Sequence, residues 1–165
     1  MVAQLKNLDD AWDCLLQIPD PGLPTVNIVE LGIVRSVEQT GNNLQVEITP
    51  TYFGCPSYHF IQREIERVLK ECGFESVTIK ERLNPPWTSS WLATSARRKL
   101  KSLGIAAPCG CQCVSNVNNM DSLKISCPFC ESNDTVMKSE FGSSPCKAIY
   151  FCNSCVQPFE YFKFH

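Results

Sequence analysis

Apolar residues recur at helical spacing near the start of the chain, directly after a residue that commonly caps helices. The side chain of Asn7 can accept a hydrogen bond from a first helical turn, so Asn7 is the predicted N-cap residue. Four apolar residues that follow are spaced to share one helical face: Leu8, Trp12, Leu15 and Leu16. Proline cannot continue a helix, so PDPGLP (19–24) is predicted to end it.

The next segment has the pattern of a β-hairpin. VNIVELGIVRSVEQ (26–39) indicates extended chain that is interrupted near Gly32. TGNN (40–43) is typical of a turn, and LQVEITP (44–50) alternates apolar and polar residues as a half-buried strand does.

A second helix, a strand and a third helix are predicted to follow. Pro56 suits the first position of a helix. Six apolar residues then form one stripe at helical spacing: Tyr58, Ile61, Ile65, Val68, Leu69 and Cys72. Gly73 is expected to end this helix, SVTIK (76–80) to form a strand, and Thr88 to cap a last helix that runs to about Leu103.

This order of elements predicts an α+β fold in which helices pack on a small mixed sheet, over residues 1–105. Residues 106–122 contain few large apolar side chains and are predicted to be a linker that contains cysteines. Residues 123–165 contain four short strand-like segments, around KIS, TVMKSEF, KAIYF and FEYFKF. A segment of this length buries too little apolar surface to fold alone, so it needs a further source of stability.

Composition and charge narrow the class of protein. The chain has 165 residues, 44% of them hydrophobic, and a formal net charge of −2, which does not favour nucleic acid as a partner. No apolar run is long enough to span a membrane, and the first residues do not resemble a signal peptide. We therefore expect a cytoplasmic protein whose eleven cysteines remain thiols or bind metal.

Two Cys-x-x-Cys pairs in the C-terminal segment have the spacing of a structural zinc site. Cys127 and Cys130 form the first pair, and Cys152 and Cys155 form the second. Each pair can direct both sulfurs at one ion, and two pairs complete the tetrahedral set that zinc prefers. The sequence therefore predicts a zinc ribbon, while iron or an iron–sulfur cluster is the alternative occupant.

Cys146 is surplus to the four and is interpreted as a small buried apolar residue or as a reserve ligand.

Charged and aromatic residues indicate which kind of partner the protein could bind. From residue 121 onward, four lysines stand against five acidic residues, which is the wrong sign for phosphate contacts. The basic residues at 97–99 and 101 are interpreted as a solvated helix face, with an acidic partner as the alternative. Aromatic residues are dense, and some of them are expected to face a partner: Phe141, Tyr150, Phe151, Phe159, Tyr161, Phe162 and Phe164.

Cys55 lies between Gly54 and Pro56, where the strand pattern ends and the helix pattern begins. If Pro56 starts the helix, Cys55 is the N-cap residue, and the helix dipole would stabilise its thiolate. Inert packing, a nucleophile assisted by His59, and a ligand for a soft metal are the three interpretations. Enzymatic activity is disfavoured because the sequence shows no oxyanion hole and no orienting carboxylate.

Other residues can complete a metal site around Cys55. The hydroxyls of Thr49, Thr51 and Ser57 are close in sequence and can hydrogen-bond the thiol. Alternate cysteines in the linker would point to one side of an extended segment and could join Cys55 in a transient site: Cys109, Cys111 and Cys113. The alternative is that the linker is rich in cysteine without a function.

Several stretches resemble a known family. DPGLPTVNIVELGIVRSVE (20–38), ITPTYFGCP (48–56) and LNPPWTSSWLATSARRKLKSLGIAAP (83–108) are similar to the small domain of SufT-type iron–sulfur assembly factors. The ending CPFC…FGSSPCKAIYFCNSCVQPFEYFKFH (127–165) resembles the PaaD or PaaJ family of the bacterial phenylacetyl-CoA epoxidase system. Gly22 departs from this pattern, because an acidic residue usually follows Asp-Pro there.

The resemblance implies a non-catalytic accessory protein that matures the oxygenase components by assisting iron or iron–sulfur cluster insertion. It places the reactive cysteine of the family on Cys55, after Thr49 and Thr51, and a structural zinc ion on the ribbon cysteines. The implied partners are the di-iron oxygenase component and the [2Fe–2S] reductase. The alternatives are a structural component of the oxygenase that transfers no iron and a zinc-ribbon regulator. Whether the protein forms a homodimer stays open.

Overall fold

The computed structural model describes residues 7–41, 43–108 and 125–163. These residues form α-helices and small β-sheets, which confirms the predicted α+β class. Among them, no helix combines the length and apolar character that crossing a membrane requires.

The chain divides into two compact units. The first consists of Met1–Trp87 and Trp91–Ala96, and the second consists of Thr88–Ser90 and Arg97–His165. The division therefore falls within the helix Thr94–Ser102, and each unit has strands of its own.

The first helix, α1, spans Leu8–Leu15 and begins as predicted. The Asn7 side chain accepts a hydrogen bond from the backbone of Asp10 at 2.9 Å, and the Asp10 carboxylate accepts one from the backbone of Asn7 at 3.1 Å. This reciprocal capping box satisfies backbone donors that the helix leaves unpaired. The predicted apolar face is wrong in part, because Leu8 and Leu16 are exposed while Ala11 and Cys14 are buried beside Leu15.

Two small sheets follow α1 in the first unit. Strands β1 (Pro19–Asp20) and β2 (Leu23–Asn27) form an antiparallel pair. Strands β3 (Val34–Thr40), β4 (Asn43–Ile48) and β5 (Ser76–Glu81) form a second sheet in that order. β3 and β4 are antiparallel, which confirms the hairpin, and β4 and β5 are parallel, so the sheet is mixed as predicted.

Helix α2, Tyr58–Glu71, provides the crossover between the parallel strands β4 and β5. Four members of the predicted stripe are buried: Tyr58, Ile61, Ile65 and Leu69. Gly73 follows the helix with a φ of 91°, a backbone conformation that suits glycine. The stripe therefore packs on the sheet, and the helix ends where the sequence predicted.

A disulfide joins the first two helices. Cys14 of α1 is bonded to Cys72, the C-cap residue of α2. The expectation that every cysteine stays a thiol or binds metal is therefore wrong for this pair. The physical reason is tertiary: packing of α1 beside α2 brings together two sulfurs that lie 58 residues apart in the sequence.

The predicted N-cap of the last helix is also wrong. Helix α3 spans Thr94–Ser102 and is preceded by a 3₁₀ turn at Ser89–Trp91. Thr88 accepts a hydrogen bond from the backbone of Ser90 at 3.3 Å, so it organises the 3₁₀ turn and not the helix.

The second unit contains one four-stranded sheet. Strands β6 (Ile105–Ala106), β7 (Thr135–Ser139), β8 (Lys147–Cys152) and β9 (Gln157–Phe162) lie in the order β6-β9-β8-β7. β6 was not predicted, since it is two residues long and pairs in parallel with β9, which is distant in the sequence. Ile125 is buried but lies outside any strand, so the segment KIS forms none over its described residues.

The core of the second unit is small and contains two of the candidate zinc ligands. Its buried members are Ala106, Ile125, Cys127, Ala148, Tyr150, Cys152, Phe159 and Tyr161. Tyr150 stacks on Phe159 and meets Tyr161 edge to face. Most of the aromatic residues therefore fill the core, and the expected outward-facing ones reduce, over the described residues, to Phe141, which is 65% exposed, and half-buried Phe151. Phe164, which was also expected to face a partner, lies outside the described residues.

Candidate metal centre and the Cys55 corner

The four cysteines of the two Cys-x-x-Cys pairs converge at one point of the second unit. Their sulfur atoms all lie within 4.8 Å of one another. The Cys127 and Cys155 sulfurs are 3.7 Å apart, and the Cys130 and Cys152 sulfurs are 3.6 Å apart. A tetrahedral zinc site with Zn–S bonds of about 2.3 Å requires sulfur separations of about 3.8 Å. The arrangement therefore fits a zinc ion held by four thiolates.

Each Cys-x-x-Cys pair lies on a tight turn, which we call a knuckle, and both knuckles have the same backbone conformation after the second cysteine. Glu131 follows the first pair with a φ of 62°, and Val156 follows the second pair with a φ of 57°. Positive φ is uncommon for residues other than glycine, and the two knuckles share it at equivalent positions. The Glu131 backbone donates to the Cys127 carbonyl at 2.9 Å, which closes the first knuckle. The Ser132 and Ser154 hydroxyls are 2.7 Å apart and join the two knuckles.

The local environment sets the protonation of the thiols. Hydrogen bonds lower the pKa of the Cys152 thiol to about 7, first from the backbone of Cys155 and then with the Cys130 and Cys155 thiols. Burial, together with the neighbouring sulfurs, raises the pKa of the Cys155 thiol to about 12. Four thiolates this close together repel one another unless a cation lies between them. The set is therefore built to exchange protons for a metal ion.

Neighbours within the second unit hold the first knuckle in place. A Cβ atom placed on Gly104 would lie 2.7 Å from the Cζ atom of Phe129, so glycine permits the ring to lie against the backbone. Lys101 of α3 forms an ion pair with Glu131. The knuckle is thus supported by the end of α3 and the turn that follows it.

The surplus cysteine of the ribbon lies outside the four-cysteine cluster. Cys146 is half-buried, and its sulfur is 3.0 Å from the Ser144 hydroxyl. Its carbonyl accepts a hydrogen bond from the backbone of Lys163 at 2.9 Å. This position suits a packed side chain better than a reserve ligand.

The basic residues of α3 have contacts within the protein. The Arg97 guanidinium donates to the carbonyl of Ser89 at 2.6 Å and also to the carbonyl of Pro108. Lys101 is paired with Glu131. At least these two cations therefore stabilise local structure, which leaves less charge for an acidic partner.

Cys55 is not the N-cap residue that the sequence predicted. The N-cap of α2 is Ser57, and the helix begins at Tyr58. The Cys55 carbonyl accepts a hydrogen bond from the backbone of Tyr58 at 3.1 Å, so residues 55–58 form one tight turn before the helix. The thiol is half-exposed and lies just before the positive end of the helix dipole. Access from solvent is retained, while the direct capping geometry is absent.

The Cys55 corner, which we define as residues 49–58, has an exposed tip. The Cys55 backbone donates to the Tyr52 carbonyl at 3.3 Å, and Gly54 has a φ of 78° with open space where a Cβ atom would be. This turn places Phe53 on the surface with 90% of it exposed. Sequence reasoning did not single out Phe53.

Of the hydroxyl groups expected beside the thiol, that of Thr49 has a different partner. Thr49 is buried, and its hydroxyl donates to the Arg82 carbonyl at 2.7 Å. Thr51 is also buried. The ring of His59 is paired with the Gln62 side chain at 3.1 Å. The linker cysteines that were expected to join Cys55 lie outside the described residues: Cys109, Cys111 and Cys113.

Comparison with known proteins shows which classes of domain the chain contains. Residues 8–80 match the family of iron–sulfur cluster assembly proteins, and residues 112–163 match the PaaD zinc beta ribbon domain. A solved domain of unknown function, DUF59, from Bacillus anthracis is 28% identical with a TM-score of 0.52, covering 56% of this chain and 89% of that one. A conserved hypothetical protein from Thermotoga maritima is 26% identical with a TM-score of 0.52, covering 60% and 98%. The chain is therefore an iron–sulfur-assembly-type domain followed by a zinc ribbon.

A relative matched over nearly its full length defines the family more closely. The putative D component of the 1,2-phenylacetyl-CoA epoxidase of Escherichia coli (strain K12) is 40% identical over 93% of this chain and 91% of its own length. The chain belongs to the PaaD family of phenylacetyl-CoA epoxidase components, which confirms the resemblance seen in the sequence.

Proposed function

We propose that this protein is a cytoplasmic, non-catalytic accessory factor of phenylacetate degradation that assists iron or iron–sulfur cluster insertion into the components of a phenylacetyl-CoA epoxidase. Membership of the PaaD family and the match of residues 8–80 to iron–sulfur assembly proteins support this function. The clients would be the di-iron oxygenase component and the [2Fe–2S] reductase. The iron or cluster is cargo here and not a resident cofactor.

The contrast between two kinds of cysteine site carries the proposal. The ribbon cysteines form a closed set of four ligands, which suits a metal ion that stays. Cys55 offers one half-exposed thiol on a surface turn. A cargo ion must leave its carrier, so an incomplete and accessible ligand set suits transfer. We therefore assign the structural zinc to the ribbon and the transfer step to Cys55.

The corner provides both stiffness and a contact surface for this step. The hydrogen bond from Thr49 to Arg82 fixes the start of the corner, and Thr51, the next residue but one, is buried. Phe53 is 90% exposed, so burial within the described part of the chain does not explain an aromatic residue at the tip. Aromatic side chains are enriched at protein interfaces relative to the rest of the surface. We assign Phe53 to contact with the client.

The test is anaerobic transfer to the purified client. The reductase without its cluster is incubated with iron, sulfide and the wild-type protein, Cys55→Ser or Cys146→Ser, and its [2Fe–2S] content is followed by absorbance. We expect Cys55→Ser to lose transfer while keeping its fold, and Cys146→Ser to behave like wild type. A triple serine variant at 109, 111 and 113 reports separately whether the linker thiols take part.

The same experiment separates the proposal from its alternative. If the reductase and the oxygenase acquire their full metal content with Cys55→Ser, the transfer role is wrong. Co-purification of that variant with the epoxidase components would then identify a structural component that transfers no iron.

A further inference from the structure

The disulfide between Cys14 and Cys72 lies in a part of the first unit that the proposed function does not use. Cys14 is in the last turn of α1, and Cys72 is the C-cap residue of α2. Their Cα atoms are 6.7 Å apart, within the range that a disulfide spans. The bond therefore fastens a helix of eight residues to the helix that leads away from the Cys55 corner.

The two cysteine residues differ in exposure. Cys14 is buried, with 7% of it exposed, whereas Cys72 follows the last turn of α2 and is half-exposed. A small thiol from solution can therefore approach the bond from the Cys72 side. Direct attack on the sulfur of Cys14 requires α1 to move away from the core.

Position along the helices separates this pair from the transfer cysteine. Cys14 and Cys72 lie at helix C-terminal ends, where the dipole disfavours a thiolate, while Cys55 lies before the N-terminal end of α2. The fourteen residues of α2 make it roughly 21 Å long. Cys55 is thus held away from Cys72 in the folded chain, and the pair can be oxidised without consuming the transfer thiol.

We propose that Cys14 and Cys72 form a reversible redox site that exchanges with low-molecular-weight thiols and disulfides such as glutathione. In the reducing direction, a glutathione thiolate attacks the Cys72 sulfur, which forms a mixed disulfide and releases the Cys14 sulfur as a thiolate that takes up a proton. A second glutathione thiolate attacks the glutathione sulfur of the mixed disulfide and releases Cys72 as a thiolate, which is protonated in turn. Overall, one protein disulfide and two glutathione thiols become two protein thiols and one glutathione disulfide.

Oxidation of this pair affects how firmly α1 is held to α2. In the dithiol form, α1 is held mainly by burial of Ala11, Cys14 and Leu15. The disulfide adds a covalent connection that limits opening of α1 from α2, chiefly by restricting the unfolded and partly open states. The oxidised first unit therefore keeps α1 docked under conditions that release it in the reduced form.

The experiment is a redox titration of the full-length protein. The chain is equilibrated at a series of ratios of reduced to oxidised glutathione, quenched with acid, denatured with a chelator and alkylated. Mass spectrometry then counts the blocked thiols. We expect alkylation of all eleven cysteines at the reducing end and loss of two of them in a single step, with a peptide that links Cys14 to Cys72. Cys55→Ser is the matched control and should leave this step unchanged.

A second measurement follows the consequence for stability. The oxidised wild-type protein should melt about 5 °C or more above the reduced protein, while Cys14→Ala and Cys72→Ala should show no dependence on glutathione. Absence of the linked peptide at every ratio would overturn the proposal, as would random pairing of Cys14 with other cysteines. The wild-type titration decides the question even if a variant fails to fold. It does not depend on iron transfer, so its outcome is separate from that of the proposed function.

Discussion

The hydroxyl of Thr49 donates a 2.7 Å hydrogen bond to the backbone carbonyl of Arg82. Thr49 directly follows β4 and Arg82 directly follows β5, so this bond joins the ends of two parallel strands. The Arg82 backbone also donates to the carbonyl of Ile48 at 2.9 Å. The Cys55 corner therefore starts from a point that is fixed on the sheet, although the corner itself is a surface turn.

Replacement of Thr49 by valine should loosen this starting point. Valine keeps the shape of threonine but cannot donate, so we expect a loss of about 1 kcal/mol in the free energy of unfolding. Thr49→Ser retains a hydroxyl and is the matched control, with a smaller loss. Urea unfolding followed by circular dichroism measures both. Equal stability of Thr49→Val and wild type would mean that the bond contributes nothing to the corner.

We expect that Gly54 is required because of its backbone conformation. Room for a side chain is not the constraint at this position. The φ of 78° at Gly54 is unfavourable for a residue with a Cβ atom, and no described atom beyond its two chain neighbours lies within 4 Å of the position that this Cβ would take. Gly54→Ala should therefore cost about 1–2 kcal/mol. Gly41, with a φ of 59° and equally open surroundings, is the matched control in the hairpin turn.

The two glycine variants should differ in the chemistry of Cys55. Gly54→Ala reshapes the turn next to the thiol and should change the rate of Cys55 alkylation by iodoacetamide several-fold, while Gly41→Ala should leave this rate unchanged. Identical alkylation rates in both variants would show that the Gly54 turn does not control the exposure of the thiol.

The ribbon should bind about one zinc ion per chain, and its affinity should depend on pH. With the pKa of Cys155 raised to about 12, this thiol carries a proton at neutral pH, and a metal ion must displace that proton. Affinity should therefore rise at least about tenfold per pH unit between about pH 7 and 9, and zinc should be lost as the pH falls. Competition with a chromophoric chelator measures this slope.

Variants locate the zinc ion. Cys152→Ser should remove it and abolish the cooperative melting of the ribbon, since a small unit of this kind depends on its metal. Cys146→Ser is the matched control and should retain one zinc per chain. Elemental analysis that finds full zinc in Cys152→Ser would exclude the four-thiolate site.

Local patterns made much of this fold and site predictable. The apolar stripe of α2 that includes Ile61, Ile65 and Leu69 could be predicted because helical spacing is a short-range property. The four ribbon cysteines could be predicted because two Cys-x-x-Cys pairs together supply the four ligands of one ion. The disulfide of Cys14 with Cys72 depends on helix packing across 58 residues, which no local pattern encodes. The same holds for strand β6, which pairs with a strand distant in the sequence.

The first residue of α2 is another feature that the local sequence pattern did not predict correctly. Pro56 can occupy the first turn of a helix, but the chain closes a tight turn between Cys55 and Tyr58 first, and the helix begins after it. Both conformations satisfy the fixed φ of proline. The choice depends on the path of the corner from Thr49, which the sequence pattern does not contain.

The contact between Gly104 and Phe129 should couple the turn after α3 to the first zinc knuckle. Gly104→Ala combines an unfavourable φ of 70° with a Cβ atom 2.7 Å from the Phe129 ring, so we expect ribbon stability to fall by more than the roughly 1–2 kcal/mol that the backbone conformation alone costs. In a Phe129→Ala background the collision is absent and only the backbone cost remains. The double-mutant cycle, measured by thermal unfolding of the zinc-loaded protein, should therefore show that Gly104→Ala costs less when Phe129 is removed. Additive effects would contradict a direct contact.

Phe53 should matter for the client and not for the fold. With 90% of its surface exposed, the side chain contributes little burial, so Phe53→Ala should leave the free energy of unfolding unchanged within about 0.5 kcal/mol. Transfer of iron or a cluster to the reductase should fall several-fold through a higher apparent KM, because the variant weakens the encounter and leaves the Cys55 thiol intact. Val136→Ala, which trims an exposed apolar side chain of the ribbon, is the control and should transfer normally. Equal transfer by both variants would remove Phe53 from the contact surface while leaving the assignment of Cys55 to be judged by its own variant.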